Sequence, residues 1–390
     1  MTPLRVKLAA HVGAPEDIIN DGKKRFSKLL SPEKTEFADQ DPDVIFFLTG
    51  GSERPVMQVV EKGGFYPMVT TDAANSNASA LEVKAALAKQ GIESVLLDAD
   101  DKETIEFLEL LFQVKNALAS INGQQLGLIG EVSEWLVASD IKPEVLNSKL
   151  GVKLNRISWA TLPDFQTMVT PEDFKSKFGK GNLQEVEKAG QVYSLLKSTI
   201  ETSNLDGVTV ECFSLVKEKA VSGCLALAML NEIGIPAACE GDIVSATGMI
   251  LSKAILGQIP WMANVAKIGY EKTLLAHCTI APGLVSDFEI RTHFETGIGT
   301  AIQGDFIGDE FTMFRFDDSL ENMFLAKGKV LSRPRYASAC RTQVEVLLPE
   351  GAVDSLRENP LGNHHLILPG DHEKAFQLAG QLLNLTNVVN

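Results

Sequence analysis

The chain has 390 residues, 45% of them hydrophobic, and a formal net charge of −15. That length suggests two or three domains, and the hydrophobic share excludes a disordered chain. The acidic balance argues against a nucleic-acid surface and against an anionic membrane face, both of which need basic patches. The five cysteines are widely spaced with no CxxC, the pattern of buried thiols in a reduced compartment. The first residues offer only Leu8-Ala9-Ala10 before His11, too little for a signal peptide, and no segment reaches the roughly 18 apolar residues of a membrane span. A soluble cytoplasmic protein is the expectation.

Residues 1–118 alternate strands and helices. Asp43–Leu48 reads as a buried strand ending in the turn Thr49-Gly50-Gly51-Ser52-Glu53, and Val56–Glu61 starts a helix. Tyr66–Thr70 and Ser94–Leu97 are strands. Asn75–Lys89 and Lys102–Ala119 are helices, the first with Ala80, Leu81, Val83, Ala86 and Leu87 on one stripe. Such alternation predicts a parallel sheet covered on both faces. A second unit of this kind, residues 119–272, begins after the turn Ser120–Gly123. Its predicted strands are Gln125–Gly130, Val152–Ile157 and Gly207–Cys212, with a polar loop at Lys175–Gly181 and helices at Leu183–Thr202 and Ser222–Glu232. An apolar run, Ile233–Cys239, leads into Glu240-Gly241-Asp242 and a helix over Ile243–Leu256. From residue 273 to 390 short strands dominate, at Thr273–His277, Thr300–Gln303, Phe311–Phe316, Gln343–Leu348 and His365–Leu368, closed by a helix over Glu373–Leu385. The expected fold is therefore α/β: two Rossmann-like domains with parallel sheets, followed by a β-rich, barrel-like C-terminal domain.

Oxygen and imidazole ligands converging from separate strand ends are what a divalent-metal site needs. Glu240 falls where ligands bind in open α/β sheets, beyond the carboxyl end of a strand. Asp242 is equally well placed to cap the following helix. His277 ends a predicted strand, where a hydrogen-bonded core histidine is the plainer role. His364 and His365 are adjacent on a strand, so only one of them can face a given site. His293, Arg315, Arg341 and Gln343 add polar groups in the β region; substrate contacts and surface ion pairs both fit the arginines. The turn Thr49–Glu53 follows a strand as phosphate loops do, yet lacks the spacing of either glycine-rich phosphate motif. Cys224 and Cys239 read as packing residues.

These segments together resemble the fucose/arabinose isomerase superfamily. The resemblance rests on Thr49–Glu53 and Asn75–Glu82 in the first domain, and on Leu128-Ile129-Gly130 leading to Glu134-Trp135-Leu136-Val137 in the second. Its most specific parts are Cys239-Glu240-Gly241-Asp242, with Thr247-Gly248-Met249 and Ile255-Leu256-Gly257 after it, and the terminal Asn363-His364-His365. It implies three domains, a Mn²⁺-type ion, aldose–ketose interconversion, and a trimer or hexamer in which a neighbour completes the site. It implies that Glu240 is a metal ligand and catalytic acid/base. It matches the terminal histidine ligand to His364, by the fucose pattern, or to His365, by the arabinose pattern, and a further ligand to His277. Asn264 stands where the family carries a second carboxylate. An asparagine can offer its carbonyl oxygen to a metal but cannot act as a base.

The resulting expectation is an isomerase of small sugars that uses Mn²⁺ or a similar divalent cation. Glu240 and Asp242 are the catalytic carboxylates; Glu240, Asn264, His277 and one of His364 and His365 hold the ion, and Asp242, His293, Arg341 and Gln343 meet the sugar. Asn264 favours a second reading, a sugar-binding protein without turnover. A lyase or aldol step is a third, with Lys253, Lys267 or Glu211 as its base.

Overall fold

The structure is a computed structural model that describes residues 1–179 and 181–389. It divides into two compact units. Met1–Ala119 with Leu378–Asn384 form one, and Ser120–Gln377 with the residues from Leu385 on form the other.

The first unit is built on a five-stranded parallel sheet in the order Thr35–Phe37, Leu4–Ala9, Val44–Phe47, Phe65–Thr70, Glu93–Asp98. Leu4–Ala9 is an interior strand of this sheet, with Leu4, Val6 and Ala9 buried. Ser76–Lys89 packs Ala80, Val83 and Leu87 against Ile45, Phe47, Tyr66 and Met68. The turn at Thr49–Ser52 uses its hydroxyl internally: Ser52 Oγ donates to Thr49 O and shares a hydrogen bond with Ser79 Oγ.

The second unit combines a four-stranded parallel sheet with a closed antiparallel barrel. The parallel sheet runs Lys153–Ile157, Gln125–Ile129, Gly207–Val210, Ala237–Cys239. The chain reverses its direction of travel between Gln125–Ile129 and Gly207–Val210, so the crevice beyond the carboxyl ends of those strands is the expected ligand position. The barrel has six strands: Glu310–Phe316, His364–Pro369, Trp261–Lys267, Thr273–His277, Thr342–Leu347 and Asn322–Ser332. It closes where the last of these pairs with the first. Its first strand in chain order is Trp261–Lys267, ahead of the boundary expected at 272/273, because that strand pairs on both sides within the barrel.

One helix joins the sheet to the barrel. Ile243–Leu256 is capped by Asp242 and ends at Gly257 in a left-handed turn. It is buried from Ile243 through Ser252, which is why its sequence is apolar almost all round. Gly248 allows the close approach, since a Cβ there would run into the Leu366 side chain and reach Phe314 Cε2 at 3.3 Å. The loop expected at Lys175–Gly181 is mostly helix. Glu172–Phe178 buries Phe174 and Phe178 one turn apart, so helical packing wins over a polar composition; Lys180 lies outside the described residues.

Candidate metal centre

Glu240 leaves the last parallel strand in a left-handed conformation, φ 63°, followed by Gly241 at φ 73°. A non-glycine residue held there costs of order 1 kcal/mol and persists only where its surroundings impose it. The surroundings do so here. Gly241 N–H donates to Val210 O at 3.1 Å, and Ser133 N–H donates to Glu240 O at 3.0 Å. A Cβ on Gly241 would meet Val132 Cα at 2.8 Å and Glu131 O nearer still. The double turn carries the Glu240 carboxylate toward the barrel. There Oε2 accepts from Trp135 Nε1 at 2.6 Å, and Oε1 stands 3.8 Å from both His277 Nε2 and His364 Nε2. Burial raises the Glu240 carboxyl, but His277 and His364 outweigh it and hold it below its ordinary value.

The two histidines differ in what holds their other nitrogen. His364 Nδ1 lies 2.9 Å from Asp242 Oδ2. A carboxylate only accepts, so Nδ1 carries a proton, and in the neutral ring Nε2 keeps its lone pair. That Nε2 is buried and has no hydrogen-bond partner. A carboxylate behind a histidine whose far nitrogen is free is the usual support of a metal ligand. His277 is the reverse. Its Nδ1 accepts the Thr279 backbone N–H at 3.1 Å. A neutral ring then carries its proton on Nε2 and offers Glu240 a donor. Burial lowers the basicity of His277, and the neighbouring Glu240 more than restores it, so the net shift is upward.

Asp242 is wholly buried. Its Oδ1 caps the helix through Ser245 N–H at 2.7 Å, while Oδ2 holds His364 and lies 3.8 Å from Arg315 Nη1. It therefore orients the His364 ring and is closed off from solvent. Burial raises its carboxyl, and His364 and Arg315 pull it below the usual carboxylate range. Arg315 is itself buried. It donates to Leu361 O at 3.0 Å, His364 O at 2.6 Å, Ala138 O at 2.8 Å and Ser139 Oγ at 2.9 Å. One guanidinium thus ties together the His364 strand, the 138–139 loop and the helix cap.

The other sequence candidates lie elsewhere. His365 points into apolar packing, edge-on to Phe324, with Nδ1–H donating to Asn363 O at 3.0 Å. Burial lowers its pKa to about 3 and keeps it neutral. Asn264 Oδ1 accepts from Asn363 Nδ2, and its Nδ2 faces Cys340 Sγ at 3.9 Å. Gln343 is buried, with its amide spent on Tyr336 N, Tyr336 O and Cys340 O. Arg341 donates to Thr292 O at 2.7 Å and lies over the Phe294 ring. His293 bonds Thr296 Oγ1 at 3.0 Å and pairs with Glu295 Oε2 at 3.0 Å. Glu211 accepts from Ser214 Oγ at 2.6 Å and Glu131 N–H at 3.0 Å, and Lys253 and Lys267 are exposed.

Sequence reasoning missed the role of Trp135 against Glu240 and the structural work of Arg315. The position of Trp135 in the segment after strand Gln125–Ile129 was the signal available. It also missed a second group, Cys278, Glu295 and Cys340, whose ligating atoms lie within 4.8 Å of one another. Contact between the two thiols lowers that of Cys278 and raises that of Cys340, so the pair gives up its first proton at Cys278. Burial raises Glu295, and His293 outweighs it to bring that carboxyl to about 2.

No protein-family model matches the chain, and a search of curated proteins finds no match to it. No helix among the described residues is long and apolar enough to cross a membrane.

Proposed function

We propose that this chain is a metal-dependent aldose–ketose isomerase-like enzyme acting on a small polyhydroxylated sugar. The observation that supports it best is the unpartnered, buried His364 Nε2, 3.8 Å from a Glu240 oxygen and fixed in its tautomer by Asp242. Glu240 and His364 would hold a Mn²⁺-type ion. When bound, that ion supplies Lewis-acid polarisation of a sugar carbonyl and acidifies the neighbouring hydroxyl.

The remaining chemistry belongs to the chain. Glu240, with Oε2 steadied by Trp135 N–H, is the group placed to take a proton from the carbon next to the carbonyl and return it to the former carbonyl carbon, while the hydroxyl proton of the first carbon passes to the former carbonyl oxygen. His277 Nε2–H is the donor on the same side and can stabilise charge that develops on a sugar oxygen. The reading carries a homo-oligomer with it, with a neighbouring copy completing the sugar pocket.

A second reading, a sugar-binding protein without turnover, is favoured by Asn264. It replaces a carboxylate, and its carbonyl oxygen is already occupied by Asn363.

Metal content with and without added Mn²⁺, alongside a ketose-formation screen of pentoses, hexoses and 6-deoxyhexoses, separates the two. Stoichiometric metal lost in Glu240→Ala, together with turnover on any sugar, supports the enzyme. Sugar-induced thermal stabilisation with no metal and no turnover overturns it in favour of the binding protein.

A further inference from the structure

Beside the Glu240 centre lies a cluster of different chemistry. Cys278 follows His277 at the end of a barrel strand, Cys340 precedes the strand Thr342–Leu347, and Glu295 lies in the loop between Val285–Arg291 and Ala301–Phe306. Both cysteines are buried and unpaired, and Glu295 is partly open to solvent. Cys340 Sγ is 3.2 Å from Glu295 Oε1.

We propose that Cys278, Cys340 and Glu295 form a second metal site, selective for a soft divalent ion of the zinc type. Two thiolates and a carboxylate oxygen match zinc and disfavour manganese or magnesium, which prefer all-oxygen shells. Two Zn–S bonds of about 2.3 Å put tetrahedral sulfurs roughly 3.8 Å apart, so a group already within 4.8 Å closes on the ion with small side-chain movements.

The carboxylate is also supported as a ligand should be. Glu295 turns one oxygen to Cys340 and the other to His293 Nε2, and His293 is in turn held by Thr296 Oγ1. The cation nearest in sequence, Arg341, sends its guanidinium away to Thr292. Three groups that are anionic when they ligate thus converge, with His293, 3.0 Å from Glu295 Oε2, rather than an arginine beside them. With three protein ligands and a partly exposed carboxylate, the fourth position stays open to solvent or substrate.

Cobalt(II) is the probe, because tetrahedral cobalt bound to thiolate gives a near-ultraviolet charge-transfer band and intense visible bands that an oxygen site lacks. The full-length protein, reduced and then freed of reductant, is titrated with cobalt alone. The thiolate band is expected to saturate at one equivalent, to be lost in Cys278→Ser and Cys340→Ser, and to survive in Glu240→Gln. Glu295→Gln, a change at a partly exposed side chain that leaves the buried cysteines in place, is expected to weaken cobalt binding about tenfold or more. Absence of the band in the reduced wild type overturns the proposal. So does a Cys278–Cys340 cross-link in the unreduced protein with no band after reduction, which makes the pair a redox couple instead. Retention of full affinity in Glu295→Gln removes the carboxylate from the site.

Discussion

Asp242→Asn tests whether the buried carboxylate sets the tautomer of His364. The amide oxygen can still accept the Ser245 N–H, as Asp242 Oδ1 does at 2.7 Å, so the helix cap, typically about 1 kcal/mol, is kept. The other end of the amide is an NH₂ where Oδ2 stood. It faces the His364 Nδ1 at 2.9 Å and the Arg315 Nη1 at 3.8 Å, donor against donor. His364 escapes by moving its proton to Nε2, which removes the lone pair that faces Glu240. Metal affinity is expected to fall 10- to 100-fold, the usual loss when a partner behind a ligand is changed. Arg315 loses its buried anion. Breaking a buried pair costs about 3–5 kcal/mol, and the four neutral acceptors that remain place this case near the lower end, about 3 kcal/mol. The sign with pH follows from the depressed Asp242 carboxyl. Its contribution is complete above the unfolded value of about 3.9 and is lost as pH falls through the folded one. The stability gap should be widest near neutrality and should close on acidification. Urea denaturation across pH and Mn²⁺ calorimetry measure both effects. A variant that binds Mn²⁺ as tightly as wild type, with a gap under about 1 kcal/mol at neutral pH, refutes the reasoning.

Other substitutions probe the scaffold. Gly241→Ala pushes a Cβ against the Glu131 and Val132 backbone at a positive φ, so it should cost at least ~1–2 kcal/mol and lower divalent-ion affinity by displacing Glu240; chemical denaturation and metal titration read both. Arg315→Met strands Leu361 O, His364 O, Ala138 O and the Asp242 carboxylate, and about 3–5 kcal/mol of stability should go with them; a variant that melts with the wild type contradicts this. Glu345 takes hydrogen bonds from Lys272 Nζ at 2.6 Å, Ser332 Oγ at 2.7 Å and Tyr336 OH at 2.9 Å, and Lys272 is the largest cause of its fall to about 2. That contribution is whole above the unfolded value of about 4.3 and disappears as pH falls toward the folded one. Glu345→Gln should therefore be the less stable protein near neutral pH and should meet the wild type near pH ~2 in acid titrations followed by circular dichroism, whereas parallel curves throughout speak against the assignment.

What could be read from sequence was what local chemistry decides. The helices Leu183–Thr202 and Ile243–Leu256 were legible to the residue because each has a capping side chain, Asn182 and Asp242, and the second ends in a left-handed glycine. Strands with charge on one face were not. Leu4–Ala9 is interrupted by Arg5 and Lys7, and Asn322–Ser332 is buried only over Met323–Ala326, after which Lys327 and Lys329 open its second half. The placement of Glu240 was legible because an apolar run before Glu-Gly-Asp and a helix after it put that residue just beyond the carboxyl end of a parallel strand. The choice between His364 and His365 was not, since it depends on barrel register. The strand Trp261–Lys267 pairs Asn264 with His364 and Ala263 with His365, and that register turns one imidazole to Glu240 and the other to Phe324.

The deeper limit concerns protons. His277 and His364 stand at the same 3.8 Å from Glu240, so residue type and distance make them equivalent ligands. They become different through the nitrogen that faces away. At His364 that nitrogen meets a carboxylate 122 positions distant in the chain, which the sheet-to-barrel helix brings into place. At His277 it meets the backbone N–H of Thr279, a group every residue but proline has, and so one that leaves no mark in the sequence. In their neutral forms one imidazole keeps a lone pair and the other a proton, both turned to the same Glu240 oxygen. In the function proposed above, that asymmetry, rather than the count of donors, is what would let one centre both hold a cation and donate to a substrate oxygen.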